Sequence, residues 1–299
     1  MAFTSGHSGS VEYVAESSYG DGIPTTPTMH LPSEAVTNVE LNFDIDVKRL
    51  HDIGSHAATD TVYGSRAYVL TVEYDVQQLK SADTHTASTC LSYYATHRTT
   101  GALDSLACAV DMNGGAYLLK GGYINRLSMN FTQGEVPKAT CEIWGNAVET
   151  DTTVANFSNY DSAGAIGESF ESYSGAAITR SGCWSNGIAD FSFEINNNLD
   201  RVFKVGSQDA ASTYAGYVDL TGNATVLVAT GAKDEVDALM AGTEVDIVAA
   251  SGSTSSKSLE FTFANASYTN EPVIYKTDMS AMTVGCSWGA ESVTFAAVS

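Results

Sequence analysis

The chain is 299 residues long and carries 35 acidic against 14 basic side chains, a formal charge of −21. With no cluster of Lys and Arg it lacks a footprint for gripping nucleic-acid phosphates, and anionic membrane surfaces are disfavoured for the same reason. Its longest apolar runs, such as Val226-Leu227-Val228-Ala229, are far too short to span a bilayer as a helix, whereas 43% hydrophobic residues are enough to bury a core.

Taken in chain order, residues 1–32 form a polar N-terminal extension with neither the basic start nor the apolar core of a secretory signal. Val39-Glu40-Leu41-Asn42-Phe43-Asp44-Ile45-Asp46-Val47 then alternates apolar and polar residues, which predicts a strand with one face on a core. A polar stretch, 48–65, is expected to be a long loop. Tyr68 to Val76 repeats the alternation, and Gly101 to Ala107, with Leu103 and Leu106 three apart, predicts a short helix. Arg126 to Thr132 and Lys138 to Trp144 return to period two. A Ser/Gly/Ala-rich stretch from Thr150 to Gly182 predicts a linker. Beyond it come a strand at Asp190 to Asn196, a second polar loop at 198–216, and a helical window at Asp234 to Met240 with acids at its start. Clean alternation implies antiparallel sheets rather than strands buried on both faces, so the class is mainly β.

This order is written twice. Asp190-Phe191-Ser192-Phe193-Glu194-Ile195-Asn196 echoes the first strand, and a polar stretch follows each copy. The helical windows then match, Leu127–Phe131 matches Leu259–Phe263, and Cys141-Glu142-Ile143-Trp144-Gly145 matches the shorter Cys286-Ser287-Trp288-Gly289. Two tandem β-sandwich or barrel domains with one short helix each are therefore expected: an extension at 1–32, a first domain at 33–150, a linker at 151–182 and a second domain at 183–299.

No catalytic constellation emerges. His51 and His56 sit in a polar stretch without the spacing of a metal site, and Gly182-Cys183-Trp184-Ser185-Asn186-Gly187 lacks the Gly-x-Ser-x-Gly elbow. Phosphate-loop and dinucleotide fingerprints are absent. The five cysteines, Cys90, Cys108, Cys141, Cys183 and Cys286, form no Cys-x-x-Cys pair and are expected to be buried thiols. Trp144 and Trp288 are expected to pack in the core or between domains. The chain is read as a non-enzyme without metal or cofactor.

The segment Val11-Glu12-Tyr13-Val14-Ala15-Glu16-Ser17-Ser18-Tyr19-Gly20, continuing through Ile23-Pro24-Thr25-Thr26-Pro27-Thr28-Met29, resembles the start of the tail tube proteins of long-tailed bacteriophages and related archaeal viruses. The amphipathic strand after it, the long polar stretch, one short helix per domain and the closing strands extend the resemblance over most of the chain. That resemblance implies sheets joined edge to edge into a ring, three chains giving a pseudo-sixfold ring, and rings stacked into a hollow tail tube through which viral DNA passes without specific binding. Its partners would be further copies of itself and other tail proteins at the tube ends, in a virion assembled in the host cytoplasm. Duplication leans toward a noncontractile tail.

Two sets of residues become candidates on that reading. An acidic lumen wall would use Glu40, Asp44, Asp46, Asp190 and Glu194, since negative charge repels sliding phosphates. Ring stacking would use the polar stretches, with Lys48, Arg49, His51, Asp52, His56 and Asp60 in the first and Asp200, Arg201, Lys204, Gln208 and Asp209 in the second. The extension at 1–32 would dock on a neighbouring subunit. An acidic excess spread along the chain also suits a virus of a halophilic archaeon. The competing reading is an extracellular β-sandwich (an adhesin, surface-layer or carbohydrate-binding protein), which the Ser/Thr content and the sequons at Asn130, Asn156, Asn223 and Asn265 suit equally.

Overall fold

A computed structural model describes residues 9–50, 60–79, 86, 88–99, 101–112, 114–171, 177–180, 184, 187–228, 237, 240–251, 258–270 and 282–298. They are chiefly antiparallel β-structure, as the alternation predicts. The first half of the chain contains β1 (Ser10–Ala15), β2 (Val36–Leu50), β3 (Asp60–Asp75), α1 (Leu91–Thr96), β4 (Arg98–Thr99), β5 (Ala102–Leu103), β6 (Leu106–Asp111), β7 (Ala116–Thr132), β8 (Lys138–Gly145) and β9 (Ala147–Asp151). The second contains β10 (Ala177–Arg180), β11 (Ile188–Asn196), β12 (Asp200–Phe203), β13 (Ala210–Tyr214), β14 (Asp219–Val228), β15 (Val245–Ser251), β16 (Ser258–Asn270), β17 (Met282–Ala290) and β18 (Ser292–Val298).

The long strand β7 belongs to two sheets. Its first part lies between β6 and β9, with β1 beyond β6, and its second part pairs with β8, which leads on to β3 and β2. A slip in register between Ile124 and Arg126 makes this possible. Inserting one residue reverses which face each side chain takes, so Ile124 and Leu127 both point into the core although their parity differs.

The second half repeats this plan strand for strand. There β16 pairs with β15 and β18 over its first part, β10 lies beyond β15, and β17, β14 and β11 follow from its last part. Even the irregularities recur. The slip at Ile124/Arg126 against β8 has its counterpart at Tyr268/Asn270 against β17. That at Leu106/Cys108 recurs at Val245/Ile247, and that at Val36/Asn38 recurs at Ile188/Asp190. Amphipathic strands resemble one another by chance; coincident bulges along the same strand order do not.

These bulges correct the sequence-level matches. Cys141 and Cys286 are equivalent, but the shorter second motif moves its Trp by one position and hence to the opposite face. Trp288 is buried and equivalent to Ile143, whereas Trp144 points to the polar face. Leu259–Phe263 belongs to the part of β16 between β15 and β18, so it is not the counterpart of Leu127–Phe131 in register.

The core runs through both halves. Leu70, Val72, Leu127, Met129 and Ile143 join Phe191, Phe193, Phe261, Phe263 and Trp288 in one cluster. Phe193 meets Phe261 at 4.7 Å and Phe263 meets Trp288 at 4.9 Å between ring centroids, within the range where aromatic pairs add to burial. Cys90, Cys108, Cys141 and Cys286 are buried thiols, and burial pushes Cys90 up to about 12. Cys183 lies outside the described residues.

Three expectations about the first half are overturned. Gly101–Ala107 is no helix: Ala102–Leu103 is β5 and Leu106 begins β6, which is buried on both faces and so loses its period. One face meets the main core and the other a smaller cluster of Val14, Ile23, Met29, Leu118 and Phe157. The helix of this half is α1, in a stretch without capping signals. Asp234–Met240 is described only at Asp237 and Met240, both helical. Finally, residues 9–32 dock on their own half rather than on a neighbour. β1 pairs with β6, and the Glu16 carboxylate accepts the N–H groups of Gly20, Gly22 and Gly121, each at 2.9 Å.

The stretch read as a linker is also structured at both ends. Phe157 joins the smaller cluster, Tyr160 and Ala163 donate to Glu12, and Ala177–Arg180 is β10.

Candidate assembly face

The two halves meet where β7 pairs with β11, from Arg126 opposite Asn196 to Thr132 opposite Asp190. One sheet therefore runs β2-β3-β8-β7-β11-β14-β17-β16 without interruption. Period two then sorts its side chains. One face supplies the core; the other presents Glu40, Asn42 and Asp44 on β2, Val69, Thr71 and Glu73 on β3, and Lys138, Thr140 and Glu142 on β8. It continues with Arg126, Ser128 and Asn130 on β7, Asp190, Ser192 and Glu194 on β11, Asp219, Thr221 and Asn223 on β14, and Ser287 on β17.

This polar face is small, hydroxylated and acidic. Its carboxylates at 40, 44, 73, 142, 190, 194 and 219 outnumber its cations, Lys138 and Arg126. Arg126 lies 3.4 Å from Glu194, and Glu142 accepts from Asn125 and the Trp144 indole, each at 2.7 Å. Of the five wall candidates, Glu40, Asp44, Asp190 and Glu194 share this face of one sheet. Asp46 lies past Tyr68 opposite Gly145, the last β3–β8 pair, on a protruding ribbon, 3.8 Å from Lys48. The bulge register makes Asp190 equivalent to Asn38 and Glu194 to Asn42, so the acids of the two copies share a face without sharing positions.

The polar stretches are ribbons rather than loops. Lys48, Arg49 and Leu50 continue β2 opposite Val62, Thr61 and Asp60 of β3. In the second half, β12 and β13 form a separate hairpin. His51, Asp52 and His56 fall outside the described residues. A ribbon exposed on both sides has no inner face, so the hydrophobic period that marks a strand disappears there.

The second ribbon folds back over the first half. The Arg66 N–H donates to the Gln208 carbonyl at 2.8 Å, the Tyr68 hydroxyl donates to Asp209 at 3.0 Å, and Arg201 donates to the Tyr68 carbonyl at 2.6 Å while its guanidinium lies 4.4 Å over the Trp144 ring. Trp144 thus packs where the halves meet. Burial lowers the Arg201 pKa and raises that of Tyr68. Three stacking candidates, Arg201, Gln208 and Asp209, are therefore engaged within the chain, whereas Lys48, Arg49, Asp60, Asp200 and Lys204 are exposed.

Residues that the sequence reading missed complete the junction. Buried Asn197 donates to the carbonyls of Ala95 and Ile124 at 3.0 and 2.9 Å, and Arg98 donates to Asn197 and to the Gly216 carbonyl. The run Asn196-Asn197-Asn198, with Asn198 at φ 46°, was the available signal: Asn tolerates that backbone region and ends strands.

At its two ends the sheet is open among the described residues. β2 pairs only with β3, and Ser267–Asn270 of β16 pairs only with β17. The outer part of β2 also exposes Phe43, Ile45, Val47 and Leu50. A family model described as phage tail tube protein matches residues 6–297. No curated protein matches the chain.

Proposed function

The chain belongs to the phage tail tube protein family, and from that premise we propose that it assembles edge to edge into closed rings whose lumen is lined by the polar face described above. The virion tail is then its place, and further copies of itself and other tail proteins are its partners. The observation that carries this reading is the uninterrupted sheet: one polar face crosses both halves and ends at two unpaired edges. Closure removes such edges, which are otherwise sites of uncontrolled pairing. Each chain supplies two copies of one plan, so three chains give a pseudo-sixfold ring. A head-to-tail contact that also repeats along the axis builds a tube.

The chemistry of the face suits passage of DNA. Ser, Thr and Asn offer hydrogen bonds without grip, and an excess of carboxylates leaves no counterion-releasing contact to hold phosphates. In this reading the first ribbon, with Lys48, Arg49 and Asp60, and the exposed part of the second, with Asp200 and Lys204, stack one ring on the next. The chain divides as 1–32, 33–150, 151–182 and 183–299, with β1 and β10 as equivalent edge strands supplied by the polar segments. Assembly takes place in the host cytoplasm, and the tail is noncontractile.

Negative-stain electron microscopy of the purified protein over a range of salt and protein concentrations tests this. Hollow rings or tubes with threefold or pseudo-sixfold end views are expected. Compact monomers under every condition would overturn it.

A further inference from the structure

The junction between the halves and the open ends of the sheet are two views of one contact. The coincident bulges fix the equivalences. Arg126 and Asn270 are each the first paired residue after the slip in the strand that serves both sheets. Asn38 and Asp190 are each the first after the slip in the opening strand. Counting equally far along both strands makes Asp44 equivalent to Asn196. Within the chain, Arg126 stands opposite Asn196.

We propose that the β7–β11 seam is repeated between molecules, so that β2 of one copy adds antiparallel to the free edge of β16 in the next, with Asp44 opposite Asn270. This rests on the ring reading above and specifies which strands meet and in what register.

Burial supports it independently. Ile195 is 0% exposed, Asn197 0% and Leu199 7%, all on the strand and turn that cross onto the preceding half. Their equivalents Phe43, Ile45 and Val47 are 47%, 40% and 44% exposed. The same positions are covered where a preceding half exists and bare where none does. An apolar row on an edge strand is a liability unless a partner covers it. The occupant is a second copy, because the chain already makes this contact with itself and both edges it needs are open.

The test uses two disulfide pairs in the full chain. Directly opposed positions in an antiparallel pair lie about 4.5–5.5 Å apart between Cα atoms, within reach of a disulfide. Arg126→Cys with Asn196→Cys is the internal control and closes within one chain on oxidation. Asp44→Cys with Asn270→Cys is expected to link different chains into covalent dimers and trimers under tube-forming conditions, while either single variant gives none. Val47→Glu supplies a second readout: the melting temperature of the free chain is unchanged and rings are lost. If wild-type tubes form but the Asp44/Asn270 pair gives only monomer while the internal pair closes, or if Val47→Glu assembles as wild type does, this register is wrong and the ring reading stands. If the wild-type chain forms no rings at all, both fail.

Discussion

Gly222 and Trp288 carry the record of duplication at the level of single side chains. In the first half, buried Leu70 faces buried Ile143 across β3 and β8. The equivalent positions hold Gly222 and Trp288, so one side chain grew where its neighbour vanished. A Cβ on Gly222 would lie 2.3 Å from Trp288 and 2.4 Å from the Ser192 carbonyl oxygen. Gly222→Leu alone therefore overpacks the site, costing about 1–3 kcal/mol or more, and Trp288→Ile alone leaves a cavity costing about 3 kcal/mol. Together they should cost less than the sum, by at least about 1 kcal/mol in a double-mutant cycle by denaturant unfolding. Additive losses would contradict the equivalence.

Glu171 sets a pH dependence at the same scale. It is 1% exposed, and burial raises its carboxyl to about 7, with Gln78 offsetting part of the effect. The folded value lies above the unfolded one, so the folded chain holds the proton more tightly. Stability attributable to this group is present in full below about pH 4.5 and is lost as pH rises through 7. Glu171→Gln should remove that part of the decline, raising stability at pH 8 by about 1–3 kcal/mol. Equal thermal shifts at pH 5 and pH 8 would rule it out.

Among the elements, the ribbons decide how far the sequence was legible. Strands with one face on the core, such as Tyr68–Val76 and Asp190–Asn196, showed themselves by alternation because water and core impose opposite demands on successive residues. β6, covered on both faces, and the ribbon extending β2 and β3, exposed on both, lack that contrast and were read as helix and loop. The wall candidates were mostly legible, since charge on the even positions of β2 and β11 marks the solvent face. The contacts that clamp the halves were not, because Asn197, Arg98 and Asn125 act through long-range pairing that no local period encodes.

Asn197→Ala tests that clamp. It removes the donors to the Ala95 and Ile124 carbonyls and the acceptor for Arg98. Leaving buried groups unpaired costs about 1–3 kcal/mol each. The expected outcome is a loss of about 2–4 kcal/mol and faster amide exchange in both α1 and β12–β13. Faster exchange confined to β12–β13 would show that the second ribbon does not stabilise the first half.

For the whole molecule, charge and topology act in opposite directions. Each chain brings a formal charge of −21 to its neighbours, so assembly through open β-edges must overcome long-range repulsion that salt screens. The protein concentration needed for tubes should fall as sodium chloride rises from about 0.01 to 1 M, where the Debye length shrinks from about 30 to 3 Å. This is also the behaviour a virus of a halophilic host would require. A requirement that rises with salt would mean that ion pairs, not edge pairing, hold the rings.

The central claim is that the polar face of the continuous sheet looks inward. Cryo-electron microscopy of the assembled tubes, with helical reconstruction, decides it most directly. The account predicts a continuous β wall in which Glu40, Asp44, Asp190 and Glu194 face the lumen and β2 of each chain adjoins β16 of the next. A wall with those carboxylates on its outer surface, or tubes whose chains meet through other elements, would contradict it.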